Sequence, residues 1–149
     1  METRAYDEIY LTDAQNILGH AFDFAIVTLG FEIEDFTDKF VNSKASKQFE
    51  RGNPRYVTGM NGCEFVKEIY EEYEIMIEHE DEMYLDKSPE YWCGWALAFF
   101  QWYSGKSFGE ILGTVTIIKL LNMYPAFHEM DIMQFADAMG ETLNEHGNS

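Results

Sequence analysis

Carboxylates dominate the stretch of this sequence that is richest in chemically active residues. Residues 71–87, EEYEIMIEHEDEMYLDK, hold eight of them, and one lysine, Lys87, closes the stretch. Like charges this close repel one another, so they contribute little to a fold. The chemistry open to them is electrostatic, because carboxylates along an extended chain, with residues ~3.3 Å apart, can occupy a groove built for phosphates.

This pattern predicts a contact surface for a basic partner protein. Eight carboxylates and three apolar or aromatic side chains make up the predicted partner-binding strip: Glu71, Glu72, Tyr73, Glu74, Glu78, Glu80, Asp81, Glu82, Met83, Tyr84 and Asp86. A hydrated, solubilising loop is the alternative interpretation. Residues 68–87 are called the acidic segment below.

Two short stretches mix histidine with carboxylates and raise the question of a metal site. They are EHEDE at 78–82 and HEMD at 128–131. Neither has the HExxH spacing of zinc proteases or the aspartate-rich pattern of calcium loops. We therefore predict no bound metal and no cofactor, with a loosely held divalent ion on the glutamates of 78–82 as the alternative.

The two cysteines are the candidates for a nucleophile in covalent catalysis. Cys63 follows Gly62 at a predicted helix start, where the helix dipole favours a thiolate. The sequence places no base beside it, as nucleophilic catalysis would require. Cys93 lies in the most apolar stretch of the chain. Both are predicted to be buried and inert, and no residue is predicted to be catalytic.

Half of the basic residues fall within seventeen positions. Four of them recur at steps of three, four and four: Lys44, Lys47, Arg51 and Arg55. They would share one face of a helix if the helix persisted, but Gly52 and Pro54 predict that the last lies beyond it. A strip of phosphate contacts is one interpretation. A solvated face that balances local acids is the other.

Residues 107–124 have the lengths of a helix-turn-helix pair. In a DNA-binding protein the second helix would present polar side chains to the bases, and here it offers Lys119 and Asn122 among aliphatic residues. The pattern favours core packing. A DNA-associated regulator that uses this pair stays open as an alternative.

Length and charge bound the class of protein. The chain has 149 residues, about one domain, and 46% of them are hydrophobic, enough for a substantial core. With 27 acids against 10 bases the net charge is −17, which disfavours nucleic acid as a direct ligand and anionic membrane surfaces. The amino-terminal stretch lacks the pattern of a signal peptide. These features, with two cysteines that form no CxxC pair, predict a cytoplasmic location.

Helical periodicity runs through nearly the whole chain, and no strand of convincing length appears. The first predicted helix is capped by Thr12, with Gln15 three residues later, and ends at Gly30. A second is predicted as one helix over residues 34–50. The acidic segment is predicted to extend a helix in its first half and to form an exposed loop in its second half.

Later helices carry clear cap signals. Asn61 with Glu64 predicts one start, and Ser88 with Pro89 predicts another. The helix that begins at Ser88 and ends at Gly105 is apolar on nearly all sides, so it is predicted to be central. The predicted fold is all-α: a compact single-domain bundle of about six to seven helices over residues 1–149, with an exposed acidic loop.

Four stretches of the sequence, taken together, carry a resemblance to known proteins. They are YDEIYLTDA near the start, FERGNPRYVTG in the middle, and SPEYWCGWALAFFQWYSGKSF and MYPAFHEMDIMQF later on. Together they resemble small acidic proteins of gut Firmicutes and their mobile elements, a group that includes anti-CRISPR inhibitors of type II CRISPR nucleases. The resemblance implies an inhibitor that acts by binding in the cytoplasm of a bacterial host cell, in some members as a mimic of DNA. An antitoxin that neutralises a co-encoded toxin is the alternative that it implies.

Overall fold

The structure is a computed structural model that describes residues 4–80 and 87–147, with side chains as far as residue 144. The described residues contain a 3-10 turn (Glu8–Tyr10), a π-helical turn (Phe24–Thr28) and ten α-helical elements: α1 (Leu11–Asp23), α2 (Ile33–Val41), α3 (Lys44–Glu50), α4 (Pro54–Val57), α5 (Gly62–Glu71), α6 (Pro89–Ser104), α7 (Phe108–Thr114), α8 (Ile117–Leu121), α9 (Tyr124–Phe127) and α10 (Ile132–Gly147). The all-α prediction is confirmed. Ten elements exceed the predicted six or seven because one predicted helix is divided and two elements are single turns.

Local cap signals place several helices where the sequence predicts them. The Ser88 hydroxyl accepts a hydrogen bond from the N–H of Tyr91, and Gly105 ends α6 in the left-handed region with φ of +72°. Asn61 with Glu64 and Ser107 with Glu110 form reciprocal capping boxes at α5 and α7. These caps satisfy backbone donors that the first helical turn leaves unpaired.

Two predicted helix boundaries are wrong. The chain enters α1 through the 3-10 turn that Asp7 caps, so Thr12 lies inside the helix and does not cap it. The single helix predicted over 34–50 is two helices. Ser43 divides them because its hydroxyl donates to the carbonyl of Phe40 and accepts from the N–H of Ser46, which offers the backbone an alternative to continued helix.

The core is built around the close contact of α1 with α6. Glycine occurs on both sides of this contact, Gly19 on α1 and Gly94 on α6, and a methyl group at either position would collide with the facing helix. Residues on nearly all sides of α6 are buried, which confirms its predicted central place. Beside it, phenylalanines from α1, α2, α5 and α7 surround Phe40 and attach α2 and α5 to the core.

Tyr70 is a buried tyrosine whose hydroxyl finds no hydrogen-bond partner among the described residues. Burial, and then the charge of Asp35, raise its pKa to about 12. An unpaired buried hydroxyl costs stability, so we expect Tyr70→Phe to raise the free energy of unfolding by about 1 kcal/mol at pH 8. Urea unfolding of the two proteins measures this.

The same pair of proteins should differ in their response to alkali. The unfolded phenol ionises near pH 10, before the folded one, so ionisation favours the unfolded state. Ionisation of Tyr70 therefore leaves the free energy of unfolding unchanged below pH 10 and lowers it progressively as the pH rises from 10 towards 12. Tyr70→Phe should therefore lose less stability between pH 9 and pH 11 than the native chain. The partly buried Tyr10, changed to Phe, is the control, and an equal gain from it would contradict the assignment to Tyr70.

Within residues 4–80 and 87–147, no helix has both the length and the apolar character that crossing a bilayer requires.

Candidate functional site

The acidic segment begins at the carboxyl end of α5. The helix ends at Glu71 and is followed by a turn at 72–74 and by residues 75–80 without regular structure. The predicted extension of the helix is therefore wrong. The Ile75 N–H reaches back to the carbonyl of Tyr70 (3.0 Å), and Glu74 takes the left-handed conformation with φ of +60°, the geometry of a Schellman termination.

Tyr73 joins this turn to α2. Its hydroxyl donates to the backbone carbonyl of Lys39 (3.1 Å), and the Lys39 ammonium lies 5.7 Å from the centre of the Tyr73 ring. The contact brings carboxylates of α2 beside those that follow α5. We define the acidic surface as the exposed carboxylates of α2 that lie near Tyr73 together with those of residues 71–80: Asp35, Asp38, Glu71, Glu72, Glu74, Glu78 and Glu80.

Electrostatic coupling shows that the two halves of this surface are close together. Burial raises the pKa of Tyr73, and the charges of Asp38 and Glu72 raise it further. Lys39 is the nearby base that acts in the opposite direction. Its ammonium is held by Asp35 at 3.0 Å, so it cancels one charge of the acidic surface and leaves the others in excess.

Glu72 has a structural role as well as an exposed position. Its two carboxylate oxygens accept hydrogen bonds from the backbone N–H groups of Lys44 (2.7 Å) and Ala45 (3.1 Å) at the start of α3. A carboxylate at a helix amino terminus is stabilised by the helix dipole. Glu72 therefore ties the end of α5 to α3, and a change at this residue would disturb the fold as well as any contact with a partner.

Apolar side chains accompany the carboxylates. Met76 is 81% exposed and Ile75 is 42% exposed, whereas Ile77 packs against the core. The ring of His79 meets the edge of Phe24, with 6.1 Å between the ring centres, and holds the chain against the π-helical turn. The described part of the acidic segment is thus fixed at two points and presents two apolar side chains between its carboxylates.

The predicted partner-binding strip divides into two groups. Glu71, Glu72, Tyr73, Glu74, Glu78 and Glu80 lie on the acidic surface. The other five lie outside the described residues: Asp81, Glu82, Met83, Tyr84 and Asp86. Their part in a contact stays a prediction.

Sequence reasoning missed Asp35 and Asp38. They precede Tyr73 by more than thirty residues, and only the folded contact at Lys39 brings them to it. A signal was available, because Glu34, Asp35 and Asp38 recur at helical spacing along the exposed side of α2.

The four predicted bases lie on two helices. Lys44, Lys47 and Arg51 are exposed along α3 and at its end, and none of them forms an ion pair with another described residue. Arg55 lies on α4, beyond Gly52, as the sequence predicts. Its guanidinium pairs with Glu68 at 2.9 Å, so it is the base least available to a phosphate.

The helix-turn-helix pair has a short second helix. α7 spans seven residues and α8 spans five, about 7.5 Å at 1.5 Å per residue. A recognition helix must present several side chains along a major groove about 12 Å wide. Lys119 is exposed on α8, but Ile117 and Leu120 are buried, which matches the core-packing interpretation.

The other candidates for chemistry lie apart from the acidic surface. Within the described residues, no group of three or more potential ligands could hold a metal ion. Both cysteines are buried, and burial raises the pKa of Cys93. Beside Cys63, the His20 Nδ1 accepts a hydrogen bond from the N–H of Gly62 (3.1 Å), and a polar cavity of about 250 Å³ opens towards Asp13.

Comparison of the chain with protein-family models, with curated proteins and with solved structures finds no match.

Proposed function

We propose that this protein is a non-enzymatic inhibitor that acts by binding. Its acidic surface docks onto a basic, nucleic-acid-binding surface of a partner protein and takes the place of phosphates. A type II CRISPR nuclease is the first partner to test, on the resemblance of the sequence to anti-CRISPR inhibitors. The observation that carries the proposal is the backbone conformation of Glu74.

Glu74 is the only residue other than glycine that has a positive φ in the described part of the chain. The left-handed region costs an ordinary side chain roughly 1–2 kcal/mol, and glycine is the usual residue at this position of a Schellman termination. The chain instead holds an exposed glutamate there, next to Tyr73 in the chain. Strained positions of this kind cluster at functional sites, where the side chain matters more than the stability that it costs.

The charge of the acidic surface fits a cationic partner. Seven exposed carboxylates outnumber the two lysines beside them, Lys39, which Asp35 holds, and Lys44, whose backbone N–H donates to Glu72. The excess gives a local field that attracts cations and raises the rate of association with a basic surface. Exposed Ile75 and Met76 supply apolar contact between the charges. Binding of this type weakens as salt screens the charges.

The substitution Glu74→Gly should change stability and partner binding in opposite directions. Glycine relieves the strained backbone, so we expect the free energy of unfolding to rise by about 1 kcal/mol. Loss of the Glu74 carboxylate should at the same time weaken binding of the protein to the nuclease several-fold. Urea unfolding and a titration against the guide-loaded nuclease measure the two effects. A stabilised variant that binds as tightly as the native chain would count against a role for Glu74.

A triple variant tests the whole surface. Glu71, Glu78 and Glu80 changed to Gln should weaken binding at least tenfold, ~1.4 kcal/mol, and should weaken displacement of a duplex DNA from the partner to the same extent. The matched control removes the same charge from exposed positions outside the acidic surface, at Glu8, Asp137 and Glu141. Equal losses in the two triple variants would indicate a general charge effect and would refute docking through this surface.

The antitoxin alternative uses the same surface and differs in the partner. If the nuclease does not bind, the native chain is used to capture a partner from a host lysate at low and at high salt. Rescue of growth on co-expression with a neighbouring toxin gene would assign the antitoxin role. The triple variant then asks the same question of that partner.

A further inference from the structure

A second site lies at the amino-terminal end of α6, away from the acidic surface. It is a cavity of about 270 Å³ between α6 and α9. Six side chains supply most of its wall: Lys87, Tyr91, Trp92, Trp95, Tyr124 and His128. The sequence predicts that this aromatic helix is mostly core with some ring at the surface, and the structure opens one end of it to solvent.

The rings of the cavity are held in place by contacts with one another. Trp92 meets Tyr124 edge to face with 5.9 Å between ring centres, and Tyr124 stacks on His128 at 4.1 Å. The hydroxyl of Tyr91 donates to the side-chain oxygen of Asn16 (3.1 Å), which ties it to α1. Fixed aromatic walls of this kind favour a flat, apolar ligand because they need little ordering on binding.

The polar groups of the cavity are chiefly donors. Trp92 is 7% exposed, yet its indole N–H donates no hydrogen bond to any described residue, and the same holds for Trp95. The third tryptophan differs, because the N–H of Trp102 donates to the carbonyl of Tyr6 at 2.7 Å. The Trp92 N–H keeps contact with solvent, unlike the buried Tyr70 hydroxyl, so it is available to donate to an acceptor that a ligand would supply.

Lys87 adds a positive charge at the edge of the cavity. Its ammonium lies 4.9 Å from the centre of the Tyr91 ring, a contact that leaves the ammonium hydrogens free for an anion. No carboxylate lines this cavity among the described residues, in a chain with 27 acids. Two acids contact residues of its wall from outside: Asp23 accepts from the Ser88 hydroxyl, and the exposed Glu129 lies 3.6 Å from His128 Nε2.

We propose that this cavity binds a planar aromatic ring that carries an anionic group, such as an aromatic carboxylate or a nucleotide. The ring lies among Trp92, Trp95 and Tyr124, and the anionic group meets the ammonium of Lys87. The volume of about 270 Å³ lies just below the range of ~300–1,000 Å³ for sites of drug-sized ligands and suits one or two fused rings. The site does not depend on the acidic surface or on the function proposed for it.

The indole N–H signals in a proton–nitrogen correlation spectrum test this site. Two probes carry a ring and an anion, 2-naphthoate and AMP; 2-naphthamide carries the ring alone, and inorganic phosphate carries the anion alone. We expect 2-naphthoate or AMP to shift the Trp92 and Trp95 signals saturably and to leave Trp102 unmoved. The stronger of the two identifies the class of anion, and Trp95→Phe assigns the signals.

The Lys87→Gln variant distinguishes the contribution of the ligand's anionic group to binding from that of its aromatic ring. It should weaken binding of the anionic probe about tenfold, as expected for loss of a charged hydrogen bond, and leave 2-naphthamide unaffected. Lys106→Gln, at an exposed lysine beyond the other end of α6, is the matched control and should change neither. The proposal is overturned if no probe shifts the two signals, if phosphate alone shifts them equally, if 2-naphthamide binds as tightly as 2-naphthoate, or if Lys106→Gln has the effect of Lys87→Gln.

Discussion

Gly94→Ala should destabilise this protein by about 2 kcal/mol, although alanine is the better helix former. A methyl group at position 94 would lie 2.3 Å from the carbonyl oxygen of Leu18 and 2.8 Å from the ring of Phe22. The oxygen belongs to the backbone of α1, so relief requires the two helices to move apart. Overpacking of a tight core costs about 1–3 kcal/mol, and a collision with backbone places this substitution at the upper end of that range. The gain of about 1 kcal/mol in helix propensity then leaves a net loss of about 2 kcal/mol.

Thermal and urea unfolding measure this effect. For a chain of this length a loss of about 2 kcal/mol corresponds to a fall in Tm of roughly 4–8 °C. Gly140→Ala is the matched control, because a methyl group at that position of α10 would meet nothing within 4 Å. It should stabilise the protein by about 1 kcal/mol. Opposite signs from the same substitution would locate the effect in the contact of α1 with α6, and a stable Gly94→Ala protein would show that the contact is looser than described.

The sequence predicts chiefly those features of the fold that depend on residues close together in the chain, such as helix caps. The caps at Asn61, Ser88 and Ser107 each involve a side chain and a backbone group three residues apart, so the pattern of letters predicts them. The division at Ser43 is equally local and had a signal, since serine at a helix start is common. The helical period continues across it, and periodicity alone therefore predicted one helix where there are two.

The candidate site was predictable only in part. The acidic segment shows the charge of the site in the sequence. The shape of the site depends on the hydrogen bond between Tyr73 and Lys39, and no sequence spacing predicts that these two residues are in contact. The two aspartates of α2 join the site through that contact. The left-handed backbone of Glu74 was equally hidden, because glycine is the residue that a sequence pattern would require there.

Glu72 shows why charge alone is an incomplete guide. The sequence treats it as one more carboxylate in a run, whereas in the fold it accepts two backbone hydrogen bonds from α3. Glu71 and Glu74, its neighbours along the chain, are exposed without such bonds to described residues. Carboxylates that look equivalent in the sequence therefore differ in what their removal would change, and the triple variant leaves Glu72 in place for this reason.

Phe40→Ala should have the largest effect on stability among these substitutions, a loss of 3–5 kcal/mol, ~4 kcal/mol in the middle of the range for a buried phenylalanine. The Phe40 side chain is fully buried. Its ring centre lies 4.8 Å from that of Phe108 on α7, 5.9 Å from Phe22 on α1 and 6.1 Å from Phe65 on α5. Helices from three parts of the chain converge on this ring, so the cavity that alanine leaves could close only if all of them moved inwards together.

The position of Phe40 also links the core to the acidic surface. It lies on α2 one residue after Lys39, whose carbonyl receives the Tyr73 hydroxyl, and α2 carries Asp35 and Asp38. A domain of this size has a stability of roughly 5–15 kcal/mol, so Phe40→Ala should remain largely folded while α2 is held less firmly. We expect urea unfolding to show the loss and amide exchange in α2 to speed up. Phe40→Leu, which keeps most of the volume, should cost less than about 1.5 kcal/mol. If Phe40→Ala cost no more than Phe40→Leu, the ring would not be the packing centre that joins these helices.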